Sequence, residues 1–178
     1  ETFEEEAPLL YKWETTSIVL DQVPPGSRKF VWFGTRGGGI FAFDGENWVH
    51  FGTLEGLPDN VILCMVRDGQ RLWVGTRKGL CLFDGNSWTI YNREKGLGGE
   101  TIYAIHVTSS GVWIGTDIGV SLFDGRKFRN FTMWDGLPGL RIQAIGSFGE
   151  IMWLGALRGG LGTGKGDVFK SFPSKKLL

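Results

Sequence analysis

A chain of 178 residues with 19 basic and 19 acidic side chains carries no net field that would draw it to nucleic acid or to an anionic membrane. Its 29 glycines, more than twice the usual share of roughly 7%, come with eight tryptophans and thirteen phenylalanines, which excludes a disordered polar chain. No apolar run is long enough to span a bilayer as a helix, and the length suits one domain with a sizeable core.

The chain begins at Glu1 rather than methionine, which reads as a processed or excised start. Residues 1–16, with Glu1, Glu4, Glu5 and Glu6, are expected to form an acidic N-terminal extension. Four repeats follow, at 17–52, 61–92, 101–132 and 141–172, and residues 173–178 are left as a lysine-bearing tail. The repeats are anchored by "VWFGTRGGGIFAFDG" (31–45), "LWVGTRKGLCLFDG" (72–85), "VWIGTDIGVSLFDG" (112–125) and the degenerate "MWLGALRGGLGTGKG" (152–166). Trp32, Trp73, Trp113 and Trp153 recur at a spacing of about 40 residues, a period that belongs to stacked supersecondary units.

Within one period, "TIYAIHV" (101–107), "VWIGT" (112–116), "VSLF" (120–123) and "KFRNF" (127–131) are short runs rich in β-branched and aromatic residues. Turn residues bound each run, and no 3.6-residue stripe is sustained, so four antiparallel strands per repeat are predicted. Asp44-Gly45, Asp84-Gly85 and Asp124-Gly125 predict tight hairpins of the primed type, with both residues at positive φ. In "VWIGT", Trp113 and Gly115 share one face, and the glycine leaves room for a large side chain from a neighbouring sheet. Paired aromatics close each repeat, as Trp48 and Phe51 do the first, and Gly56-Leu57-Pro58, Gly96-Leu97 and Gly136-Leu137-Pro138 link them. The fold class predicted is all-β, a β-propeller of four four-stranded antiparallel blades of about 40 residues.

The string "VWIGTDIGVSLFDG…FRNFTMWDGLP" resembles the two-component regulator propeller repeat, whose units share Trp-x-Gly-Thr, Phe-Asp-Gly and Gly-Leu-Pro signatures. The resemblance covers residues 30–172 and weakens in the fourth repeat, where Gly164-Lys165-Gly166 and Ala156 depart from the pattern. It implies an extracytoplasmic sensor region or a related secreted propeller, a periplasmic or secreted location, binding rather than chemistry, and rings of more than four blades.

Cys64 and Cys81 fall on the first and third strands of one sheet, too far apart for a disulfide, and are expected to be core thiols. His50 and His106 belong to different repeats, so no metal site or acid–base pair is predicted. The glycine runs at 34–40 and 159–166 are flanked by strands rather than feeding a helix, which argues for hairpins over phosphate loops. No catalytic residue, metal ligand or cofactor is assigned.

In a propeller the hairpins between second and third strands share one end of the channel with the inter-blade linkers. That face would carry Arg36, Arg77, Asp117 and Arg158 from hairpins, and Asn60, Glu100 and Arg141 where inner strands begin. These positions vary between repeats while the framework does not, which makes them the candidate ligand-binding set. The leading expectation is a non-enzymatic ligand-binding or sensing module for a small molecule or protein. The alternatives are a structural scaffold for protein interaction and, third, a propeller lyase or hydrolase. Closure has three open forms: a four-bladed ring, two chains completing a larger ring as a homo-oligomer, or an excerpt of a longer chain.

Overall fold

The computed structural model describes residues 10–21 and 29–172. The first sheet comprises β1 (Thr15–Leu20), β2 (Val31–Thr35), β3 (Ile40–Phe43) and β4 (Trp48–Phe51). The second comprises β5 (Ile62–Asp68), β6 (Arg71–Thr76), β7 (Gly79–Phe83) and β8 (Trp88–Tyr91). The third is β9 (Ile102–Thr108), β10 (Gly111–Thr116), β11 (Val120–Phe123) and β12 (Phe128–Phe131). The fourth is β13 (Ile142–Phe148), β14 (Ile151–Ala156), β15 (Gly160–Lys165) and β16 (Val168–Phe172). Each sheet is antiparallel with its strands in chain order, so the all-β, four-blade prediction stands. β1 begins two residues inside the stretch read as an N-terminal extension. The four N-terminal glutamates and the tail at 173–178 lie outside the described residues.

The chain divides into two compact units at Ile90/Tyr91. In the first, Trp32, Ile40 and Ala42 of one sheet pack on Met65, Leu72, Val74 and Cys81 of the next, with Leu57 from the linker. In the second, Trp113, Val120, Leu122 and Phe131 pack on Ile142, Met152, Leu154 and Phe169, with Leu137 again from the linker. The glycine two positions after Trp32 and after Trp113 is required by this packing. A Cβ on Gly34 would sit 2.7 Å from the Ile62 side chain, and one on Gly115 would sit 2.6 Å from the Ile142 carbonyl oxygen. Inner strands of adjacent sheets therefore meet backbone to side chain at the tryptophan strand.

The third-to-fourth-strand turns differ from the tight primed hairpins that the Asp-Gly pairs predict. Gly45, Gly85 and Gly125 have positive φ, but their aspartates do not. Each loop is four residues long, closed by a hydrogen bond such as Asp84 N–H to the Ser87 carbonyl. The aspartate Oδ1 then accepts two backbone N–H groups: from Glu46 and Asn47, from Asn86 and Ser87, and from Arg126 and Lys127. The side chain does the turning, and aspartate needs no left-handed backbone for that. For Asp84 and Asp124, these bonds hold the carboxyl below its ordinary range.

Neither Cys64 nor Cys81 is in a disulfide. Burial pushes both thiols up, Cys64 to about 12 and Cys81 further, so neither is a reactive thiolate near neutral pH. Among the described residues no group of side chains could hold a metal ion, and no helix is long and apolar enough to cross a membrane.

Candidate functional site

The hairpin between second and third strands is set by the threonine of Trp-x-Gly-Thr. Thr35, Thr76 and Thr116 are buried, and each hydroxyl donates to a glycine carbonyl across the turn (Gly39, Gly79 and Gly119, at 2.8, 2.8 and 3.1 Å). The same hydroxyls accept from the N–H of Gly38, Lys78 and Ile118. With both ends of the turn tied to a buried side chain, the residue after the threonine is presented on a fixed platform. That residue is Arg36, Arg77 or Asp117.

The fourth hairpin departs from this plan. Ala156 has no hydroxyl, and backbone bonds hold the turn, from Gly159 N–H to Ala156 O and from Leu157 N–H to Arg141 O. Counting from the tryptophan, Leu157 stands where Arg36, Arg77 and Asp117 stand, and Arg158 lies one place on, at a φ of 60°. Arg158 shares the charge of Arg36 and Arg77 but not their distance from the tryptophan, so it is not their counterpart in the hairpin.

In the first unit, the Arg36 Nε pairs with Glu14 Oε2 at 3.0 Å, both exposed. Asn60 is committed to the scaffold: its carbonyl accepts from Gly37 and Gly39, and its Oδ1 accepts the Thr53 N–H at 2.9 Å. Arg77 sits in the β6–β7 turn.

In the second unit, Asp117 Oδ1 accepts the N–H of Glu100 at 3.1 Å and of Thr101 at 3.4 Å, so it draws together a hairpin and the start of an inner strand. Glu100 is exposed beside it. The Arg141 guanidinium lies over the Tyr103 ring at 5.0 Å, within cation–π range, a partner that no repeated motif marked.

Two hollows, one in each unit, are lined by other residues. A cavity of about 350 Å³ in the first unit is lined by Asp21, Phe30, Trp32, Phe51, Arg67 and Phe83, among others. At its wall Asp21 accepts from Trp32 Nε1 at 2.8 Å and pairs with Arg67 at 2.6 Å, largely buried. A cleft of about 690 Å³ in the second unit includes His106, Thr108, Ser110, Ser147, Glu150 and Lys165. There His106 Nε2 and Ser147 Oγ are 2.8 Å apart, and an exposed Glu150–Lys165 pair at 2.8 Å lowers the carboxyl and raises the ammonium. None of the seven candidate residues lines either hollow.

A family model described as the two component regulator propeller matches residues 56–78, which run from the first inter-blade linker through the second tryptophan strand into its hairpin. This repeat is matched at one of the four repeats. The likeness seen in the sequence motifs is thus supported where Gly56-Leu57-Pro58 and Trp73-x-Gly-Thr lie. Comparison with curated proteins gives no match.

Among solved structures, the chain is similar to the extracellular domain assigned to a hybrid two component system of B. thetaiotaomicron, with a TM-score of 0.75 and 21% identity over 90% of this chain and 24% of that one. It is also similar to the extracellular domain assigned to a one component system of the same organism, with a TM-score of 0.65 and 20% identity over 93% and 24%. An ancestral GH74 enzyme aligns with a TM-score of 0.65 and 14% identity over 91% and 25%. The chain spans about a quarter of the length of these proteins, and at such identities the likeness is one of fold: the sheets are propeller blades.

Proposed function

We propose that the chain is a non-enzymatic ligand-binding or sensing propeller module that works outside the cytoplasm. Arg36, Asn60 and Arg77 of the first unit, and Glu100, Asp117, Arg141 and Arg158 of the second, form its recognition surfaces. The observation that carries this reading is the contrast at the hairpins: three buried threonines tie their turns by the same pair of bonds, the first turn one residue longer than the other two, while the residue each turn presents changes from Arg36 and Arg77 to Asp117. A rigid scaffold with variable polar tips is how loops on β-scaffolds read ligands. Asn60 and Asp117 would act by positioning, since their oxygens already hold backbone N–H groups.

A thermal-shift screen of small molecules tests the reading, with a concentration-dependent rise in Tm as the expected result. Arg77→Ala and Arg141→Ala should weaken the selected compound without lowering the ligand-free Tm. A hit whose effect survives both substitutions would remove these residues from the site.

An interaction scaffold is the second reading, and exposed apolar side chains in the linkers favour it. Leu54 and Trp134 occupy equivalent places in the turns Thr53–Glu55 and Met133–Asp135 and are 95% and 98% exposed. Copurification of a protein partner that Trp134→Ala abolishes and Arg77→Ala spares would select it.

A further inference from the structure

The first hairpin is built unlike the second and third. Its turn, Arg36-Gly37-Gly38-Gly39, is one residue longer than Arg77-Lys78-Gly79 and Asp117-Ile118-Gly119, and no residue in it after the arginine has a side chain. The indole of Trp13 fills the space those side chains would take. A Cβ on Gly37 would lie 2.6 Å from its six-membered ring, and one on Gly38 would lie 2.5 Å from its five-membered ring. The bonds that hold the turn come from elsewhere. Gly38 N–H donates to the Thr35 hydroxyl, the Gly38 carbonyl meets His50 Nε2 at 2.8 Å, and the Asn60 carbonyl accepts from Gly37 and Gly39.

Trp13 also stands at a recognition position. Two residues before the strand partner of each hairpin threonine come Trp13, Asn60 and Glu100 in the first three sheets. Glu14, the next residue, pairs with Arg36 Nε at 3.0 Å, and its carbonyl accepts the Arg36 N–H at 2.8 Å. An aromatic ring and a carboxylate, adjacent in one segment, therefore sit together on the bare turn and its arginine. Among the described residues that segment is lightly held: Trp13 is 41% exposed and outside the core of the unit, and the preceding turn Leu10–Lys12 buries no residue. The ring can lift while the hairpin beneath it keeps its bonds.

We propose that the Arg36–Gly38 turn is a site for a flat aromatic carboxylate, and that Trp13 and Glu14 occupy it from within the chain until such a ligand displaces them. This names a ligand class for part of the recognition surface and so rests on the reading of Arg36 given above. The ligand's ring replaces the indole on Gly37 and Gly38, and its carboxylate replaces Glu14 on Arg36 in a charge-assisted bond. Glycine suits the turn because a residue without a side chain lets a ring approach the backbone. The intrachain occupant sets a threshold, since apparent affinity falls with the fraction of molecules whose site is open.

Indole-3-acetate is the probe, titrated into the isotope-labelled full chain and followed by NMR. The amide resonances of Gly37 and Gly38 should shift, and the Trp13 indole N–H resonance should move with them as the ring is displaced. Trp13→Ala, folded by circular dichroism, removes the competitor and should tighten binding by about tenfold or more. In that background Arg36→Ala should weaken indole-3-acetate by about tenfold and leave neutral indole unchanged. Gly38→Ala in the same background should abolish binding of both, because Gly38 has no left-handed φ to oppose alanine and the new methyl takes the place of the ring. A Trp13 resonance that stays fixed, no tightening in the Trp13→Ala variant, or a Gly38→Ala variant that binds as well as its parent each overturns the proposal. Unmoved Gly37 and Gly38 resonances beside a thermal-shift hit that still depends on Arg77 overturn it and leave the recognition reading standing.

Discussion

Gly85 has a φ of 104° and no atom within 4 Å of the place a Cβ would take, so a side chain there is opposed by the backbone alone. Gly85→Val is expected to cost about 1 kcal/mol or more, because a β-branched residue is strained in the left-handed region. A lower denaturation midpoint with an unchanged slope would record it; an unchanged midpoint would mean the loop rearranges at no cost. Trp113 is the contrasting residue. Its ring stacks on Phe131 at 5.9 Å, meets Phe169 edge-on at 6.1 Å and is buried among Leu137, Ile142 and Met152. Trp113→Ala removes that contact and leaves a cavity, an expected loss of roughly 3 to 5 kcal/mol in the same assay.

At the scale of the hairpin, the Asp84 and Asp124 loops are tied by carboxylates that accept backbone N–H groups, and their folded-state values lie below the unfolded value near 4. A lowered folded value means that the stabilisation is present above the unfolded value. It is lost as pH falls through the folded one. Acidification below about pH 4 should therefore loosen both loops before the sheets give way. Amide resonances of Asn86, Ser87, Arg126 and Lys127 followed by NMR should shift together with the aspartate carboxyl signals. Resonances that stay fixed through that titration would show that backbone geometry alone holds the loops. The same scale explains a difference from the sequence reading: Asp-Gly signals a turn, but the primed and the side-chain-capped loop share that dipeptide. The four-residue length of the loop, which brings two backbone N–H groups onto the carboxylate, decides between them.

For the whole molecule, Trp153 is the reporter of what covers the last sheet. In dilute protein, Trp153→Phe should lower the iodide-quenchable fraction of tryptophan fluorescence. An unchanged quenchable fraction would mean that the Trp153 ring is covered.

Much of the fold is legible in the sequence, because a repeat states its own rule several times. The recurrence of Trp32, Trp73, Trp113 and Trp153, the short β-rich runs and the glycine that follows each tryptophan determined four four-stranded blades and their close packing, since alternation and steric room are local properties. The hairpin positions of Arg36, Arg77 and Asp117 were also local, set by distance from the tryptophan, while Arg158 lies one place beyond theirs. Only the tertiary structure decided what those side chains are used for. Asp117 and Asn60 hold backbone groups distant in sequence, Arg141 rests on Tyr103, and Arg67 meets Asp21 across two sheets. Likewise, Phe148 and Leu20 read as ordinary apolar strand residues, and their exposure emerges only once each blade's neighbour is known. Such pairings join residues tens of positions apart, and neither composition nor period carries the distance between them.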